Sequence, residues 1–447
     1  MPQMTAPGRE VRRRLLWLAA IGVVLLLLAG MTPRLYGRLG DNFYIAQAML
    51  WGVLVVGATR LAEACPERRA LLLIVGVALL MRLLLLALPP LTSVDVYRYV
   101  WDGRIQGAGF NPFRYVPAAP ELSHLRDAVI FPSVDKADYA VTIYPPAAQL
   151  LFLLATSLHD GVVAVKAALV AFEVVTIAVL IALLRRLGQP VTRVVAYAWH
   201  PLVVWEIAGN GHIDGAMTAM MMLALWLFAL GRPLSAAAAA AIGALFKPFA
   251  VLALPAFWRP WDWKLPLVVA LVVGASYVPY LSAGSGIFGF VLTYASEEGI
   301  DSGNAYWIVG VLRGLFGETG WWTALYIAGA LAILAALALR AGFRRERPLA
   351  VTIADINALL LAFAFLLSPN YPWYFVMLVP FVALTGSLPG WVLTIGGFAL
   401  TDEATWDPWI PFWIRDTGFN VAVLAAFLVA WRRARKQAIG DPGAPLA

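Results

Sequence analysis

The sequence predicts an all-α, polytopic membrane protein, a single transmembrane domain over residues 1–447. Three observations carry that prediction. Hydrophobic residues make up 62% of the chain and charged residues only 13%, about half the charged share of an ordinary soluble domain. Apolar windows of roughly 17–25 residues, enough to cross a hydrocarbon core of about 30 Å, recur along the chain. Basic residues gather in every second connection, as positive-inside orientation requires.

The first window, LLWLAAIGVVLLLLAG at 15–30, follows Arg12, Arg13 and Arg14. It resembles a signal peptide, but no A-x-A-like cleavage site follows, and a retained helix is expected. Further spans are expected at 43–60, 70–89, 161–184, 193–208, 215–231, 265–281, 322–340, 350–367, 373–386, 388–400 and 417–431. A short pair at 234–246 and 248–258, broken by Lys247-Pro248, reads either as two spans or as a re-entrant hairpin buried in protein. The expected total is about 12 to 14 spans.

The basic turns carry Arg60, Arg68 and Arg69, then Arg185, Arg186 and Arg193, Arg232, Arg259 and Lys264. The series ends with Arg340, Arg344, Arg345 and Arg347, and finally Arg432, Arg433, Arg435 and Lys436. These turns and both termini are placed in the cytoplasm. Most acidic residues, Asp41, Asp95, Asp102, Asp214, Glu297, Glu403 and Asp407 among them, fall on the other side. The net charge of +7 therefore follows membrane topology, and no nucleic-acid partner is expected. The one cysteine, Cys65, has no partner for an intramolecular disulfide, and no Cys cluster suggests a metal site.

Two external loops stand out, at 91–160 and 282–321. Connections this long are usually functional. In the first, Thr92 or Ser93 can cap a helix starting near Val94, and Gly107 or Gly109 before Asn111-Pro112 can end it. Val94, Tyr97, Trp101, Ile105 and Ala108 form one apolar stripe; Asp95, Arg98, Tyr99, Asp102 and Gln106 form the opposite face. The expectation is an interfacial helix, its aromatic side in lipid or on the bundle and its polar side across the outer mouth. Asp95 lies in the first turn, where the helix dipole favours the carboxylate. Asp102 is seven residues on, about 10.5 Å along the axis. Arg98 stands four before Asp102, so the two read either as site residues or as a structural ion pair.

DVYRYVWDGRIQGAGFNPFRY (95–115), TIYPPAAQ (142–149), HPLVVWEIAGNGHIDG (200–215) and SPNYPWYFVMLVP (368–380) together resemble bacterial GT-C-class glycosyltransferases. The nearest are polyprenyl-phosphate-mannose-dependent mannosyltransferases of the lipomannan and phosphatidylinositol mannoside type. The resemblance implies a GT-C-like fold, a polyprenyl-phosphate sugar donor, an external active site, and an essential acid in the first large outer loop. Asp95, in the D-V-Y position, is the matching residue. Two helices precede the one delivering it, so counting loops alone points wrongly to Asp41.

Such a donor already carries a good leaving group. The enzyme then needs a base for the acceptor hydroxyl and positive charge or donors for the departing phosphate. One carboxylate suffices for direct, inverting displacement, by which a β-linked donor gives an α-linked product. A covalent route needs two carboxyl groups close together, which Asp95 and Asp102 do not offer. Asp95 is expected as the base with Asp102 in support; Arg98, Arg104, His212 and Lys247 are the candidates for donor phosphate. In Asn210-Gly211-His212-Ile213-Asp214 the glycine lets backbone approach a ligand. Lys247 is an ionisable group inside an apolar stretch, a functional hypothesis by default, with snorkelling to an interface as the alternative. Tyr99, Tyr144, Asn210, Asp214, Asn304, Asn370, Trp373 and Tyr374 are expected to meet sugar or acceptor. No cofactor and no metal are expected, although the acidic loop SEEGIDSGNAYW at 296–307 leaves room for a divalent ion.

The expected activity is transfer of a hexose, mannose first, from a polyprenyl-phosphate sugar to a lipid-linked or glycan acceptor on the outer face of a bacterial cytoplasmic membrane. The alternatives are a transporter or flippase, which predicts internal repeats and midplane charges, and a polymerase or ligase of lipid-linked sugars.

Overall fold

The computed structural model describes residues 6–402 and 410–440; Glu403 and Asp407 of the acidic series lie outside them. Among the described residues every regular element is helical. Among the described residues, seven helices are long and apolar enough to cross a membrane, or eight if a bent pair at Pro201–Gly209 and Asp214–Ala229 is one span.

Helix α1, Ala6–Glu63, holds two of the expected spans in one 58-residue element. It is folded back on itself at Gly40 (φ 69°). Gly22 packs against the Trp199 ring, where a Cβ would lie 3.3 Å from it, and the Trp51 indole donates to the Trp199 carbonyl at 2.8 Å. A straight helix would separate residues 22 and 51 by about 43 Å, so the arms are antiparallel. Asp41 sits in the fold, buried, and accepts a hydrogen bond from Tyr36 at 2.8 Å.

α2 (Glu67–Leu86) rises from the arginine-rich end of the bundle, where Arg185 pairs with Glu67 and Arg193 with Glu63. Its last carbonyls are capped by the buried Lys166 ammonium, 2.8 Å from both Leu85 O and Leu88 O. A cation there satisfies groups that the helix leaves open. α3 (Asp95–Gly107) and α4 (Pro146–Leu158) follow at the opposite end, and α5 (Val162–Arg186) returns.

The expected span at 193–208 is not one helix. Short turns at Val191–Val194, Val195–Ala198, Pro201–Val203 and Val204–Gly209 cover it. Pro201 removes one backbone donor, and the last turn is π-widened, with Asn210 N–H donating to Trp205 O five residues back at 2.7 Å. α6 (Asp214–Ala229) then leads away from the site. The 234–258 pair folds as a hairpin: α7 (Pro233–Ala244) packs on the turns at Pro248–Phe257, Lys247 lies at the tip, and Gly243 meets Ala250.

The structure thus departs from 12 to 14 full-length spans. Residues 146–158, 233–244, 248–257, 307–316, 372–385 and 388–400 are apolar helices of only 10–17 residues. At 1.5 Å per residue a 12-residue helix covers about 18 Å, too little to cross alone. Flanking protein walls in 372–385 on nearly every side chain.

Candidate functional site

The site forms where α3, the turn before α4, the 209–214 turn, the Lys247 hairpin tip and the 368–374 segment converge. α3 begins and ends where its sequence indicates. Ser93 Oγ accepts from Asp95 N–H at 3.3 Å, whereas Thr92 braces Asn210 instead. Of the two places expected for the apolar side of α3, lipid or the bundle, its later turns take the second and pack on protein. Trp101 and Ile105 are buried, Trp101 beneath Phe131 of the same loop. The later turns of the polar face are covered by α4, to which Gly103 fits so closely that a Cβ would overlap Phe152 O and Thr156 Oγ1.

That packing separates the two acids of α3. Asp102 is fully buried; it accepts from Arg98 Nε at 2.8 Å and from Gln149 Nε2 at 3.0 Å. Arg98 spends its remaining donors on Ala140 O at 3.1 Å. Both are engaged in holding the loop, in the structural ion pair that their spacing offered as the alternative to a role in the site. Arg104 is likewise engaged, by Asp127 at 2.5 Å, Asp160 at 3.0 Å and Leu125 O. Tyr99 is buried and stacked on Phe152, centroids 4.6 Å apart, so it does not face a sugar.

Asp95 differs. Its side chain is 36% exposed; Tyr144 Oη donates to Oδ2 at 3.3 Å and His212 Nδ1 lies 3.6 Å from the same oxygen. The surrounding protein displaces water and pushes the Asp95 carboxyl up to about 6, while the Lys247 charge and the Tyr144 hydrogen bond pull it back. Burial, then the Asp95 charge, holds the Tyr144 hydroxyl well above its ordinary value, so Tyr144 stays a donor.

Behind Asp95, His212 is 1% exposed and stacks on Trp373 with centroids 4.3 Å apart. Its Nε2 points to Glu206 Oε2 at 3.4 Å. Gly211 makes this turn possible: its φ is +81°, and a Cβ would lie 2.9 Å from Val96 and 3.1 Å from Lys166. Asn210 is a buried brace, accepting from Leu91 and Thr92 N–H and donating to Glu206 at 2.9 Å. Lys247 does not snorkel. It grips Asp214 at 2.9 and 3.0 Å and lies 3.9 Å over the Tyr374 ring.

Trp373 stacks on Tyr371 as well as on His212, and Tyr374 shares a 2.9 Å hydrogen bond with Tyr294 while holding Lys247. Protein rings, rather than open space, meet these two aromatics, against the expectation that they stack on sugar. Asn370 donates to Ala305 O and Asn304 accepts from Arg313, which places both in the second loop's own framework. That loop is stitched to the first by Lys136–Glu297 at 2.5 Å, Phe290 N–H to Thr142 O and Tyr280 to Gln106.

The structure therefore brings together Asp95, Tyr144, His212, Trp373, Lys247, Asp214 and Tyr374, and adds Glu206 and Tyr294. Glu206 carried a signal in the sequence, an acid in an apolar segment four residues before Asn210, as did Lys166 in α5. No group of three or more His, Cys, Asp or Glu is arranged to hold a metal ion among the described residues.

Residues 42–262 match the family model described as alpha-(1->6)-mannopyranosyltransferase, N-terminal domain. Over that region the chain is similar to this mannosyltransferase family. The matched region includes α3, Tyr144, Glu206, His212, Asp214 and Lys247, and ends before the Tyr371–Tyr374 segment. No curated protein and no solved structure matches the chain. The glycosyltransferase reading of the sequence stands, in a multi-pass membrane protein, and the transporter and polymerase alternatives are left without support.

Proposed function

We propose that this mannosyltransferase takes mannose from a polyprenyl-phosphate donor and transfers it, with inversion, to a lipid-linked or glycan acceptor, using Asp95 as the base. One observation carries the assignment. Of the acids gathered here, Asp102, Glu206 and Asp214 are at most 1% exposed, whereas Asp95 is 36% exposed. It alone can meet an acceptor hydroxyl. A covalent, retaining route would need a second open carboxylate about 5 Å away, and the neighbouring Asp214 is buried under Lys247.

The donor class rests on the motif resemblance and on the embedding of the site in a membrane bundle. Lys247 is the proposed cation for the leaving phosphate, released in part from Asp214 as negative charge builds on the departing phosphate. The linkage in the family's description supports an α-(1→6) product, which inversion yields from a β-linked donor. The site lies at the bundle end opposite the arginine-rich turns, which supports chemistry on the outer face of the bacterial cytoplasmic membrane with both termini inside. The proposed chemistry uses no metal cofactor, so transfer should persist in excess EDTA.

The test is transfer of radiolabel from polyprenyl-phosphate mannose to a panel of lipid acceptors by purified protein in lipid. Asp95→Asn is expected to lose about 10²–10⁴-fold in rate, the usual range for a general base. Full transfer by a folded Asp95→Asn variant would overturn the base assignment, and a β-linked product would overturn inversion.

A further inference from the structure

We propose that Glu206 and His212 form a proton relay behind Asp95, with Glu206 setting the tautomer of His212. The proposal rests on Asp95 being the base. Neutral imidazole has one N–H and one lone pair, whereas a carboxylate only accepts. Both His212 nitrogens face carboxyl oxygens: Nδ1 toward Asp95 Oδ2 at 3.6 Å and Nε2 toward Glu206 Oε2 at 3.4 Å. With both acids ionised the ring can donate to one only.

The burial of the two acids decides which. Glu206 is 1% exposed, and a buried carboxylate demands donors. Asn210 Nδ2 supplies one at 2.9 Å. Among the described residues His212 Nε2 has no other partner within hydrogen-bond reach, so its proton belongs toward Glu206. The Nδ1 lone pair is then left facing Asp95. Trp373 stacks on the ring and fixes its plane; a closure of a few tenths of an ångström on substrate binding completes both contacts.

In the transfer step the acceptor oxygen bonds to C1 of mannose as the C1–O bond to phosphate breaks, and that electron pair leaves with the polyprenyl phosphate. The hydroxyl proton passes to an Asp95 oxygen and on to Nδ1. The resulting imidazolium lies between two carboxylates, and Asp95 remains ionised until product departure returns the proton to solvent. The other charged or titratable groups around this unit include Lys247 at the hairpin tip, Asp214 on α6, Asp135 and Tyr144 of the first loop, Tyr99 on α3, Tyr294 of the second loop and Tyr44 on α1.

The experiment measures transfer from radiolabelled polyprenyl-phosphate mannose against pH. His212→Ala should lose tenfold or more in kcat with KM nearly unchanged, and added imidazole should restore activity severalfold. Glu206→Gln keeps the Asn210 contact and the shape. Its amide oxygen still accepts from Asn210 and faces Nε2 but carries no charge, so the imidazolium loses its stabilising carboxylate, kcat falls and the acidic limb moves to lower pH. An acidic limb unmoved in Glu206→Gln, or a loss in His212→Ala that imidazole does not restore, overturns the relay while an inactive Asp95→Asn keeps the base. Full activity of Asp95→Asn overturns both.

Discussion

The first and third turns of α3 carry the same residue type with opposite fates. Asp102 is fully buried and saturated by Arg98 and Gln149. Asp95, seven residues earlier, keeps a third of its surface open and accepts from Tyr144. Helical geometry puts both on one face; α4 covers only the later turn. A carboxylate with its donors satisfied holds structure, and one left short of donors, beside a histidine, keeps basicity in reserve.

The sharpest way to break that contrast is exchange of each acid for its amide. Asp95→Asn should lose transfer by the factor given above while leaving yield and thermal midpoint unchanged or raised. Asp102→Asn should do the reverse in kind: it leaves the Arg98 charge buried, and thermal unfolding in detergent should show about 3–5 kcal/mol of destabilisation. Replacing Arg98 and Asp102 together by apolar residues of similar volume should recover most of that loss. If Asp102→Asn folds normally and only activity falls, the division of roles between the two turns fails.

The pH dependence separates them next. Asp95 is raised from 3.8 to about 6, so transfer should fall on an acidic limb near pH 6 as the base is protonated. For stability the sign is the opposite of a salt-bridged acid. The folded state holds the Asp95 proton more tightly than the unfolded chain, so ionisation costs stability as pH rises from 3.8 to about 6, and the cost is constant above. Asp95→Asn removes it: the variant's gain in melting temperature should be full above pH 6 and vanish below 3.8. The smallest effect is expected for Arg104→Ala, whose partner Asp160 is half exposed. Stability should change by about 1 kcal/mol or less, with transfer unaltered. A large loss of transfer there would return Arg104 to the donor site.

Much of the fold was legible because lipid imposes a strong rule. The apolar windows, the alternation of arginine-rich turns and the limits of α3 could all be read from residues. Lys247 and His212 were legible as ionisable groups in apolar surroundings, and Asp95 as a helix-start acid. What escaped was the partner of each. Lys247 pairs with Asp214 across 33 positions, Tyr144 reaches Asp95 across 49, and Lys166 caps α2 from 78 and 81 positions away. No local period encodes such pairings. The broken crossing at 191–209 also escaped, because a run of buried apolar residues has the same hydropathy whether its helix is continuous or interrupted by a proline and a widened turn.

The sequence by itself determined that this chain lives in a membrane, which turns carry its positive charge, and that an aspartate opens the helix of its longest connection. Those follow from composition and from local periodicity, which act residue by residue. Only the tertiary structure decided that Asp95 is open and Asp102 closed, that Arg98 and Arg104 are spent on the loop, and that Glu206, six residues before His212, addresses the far side of its ring. Exposure and partnership depend on which helix arrives from elsewhere in the chain, and that is set by packing.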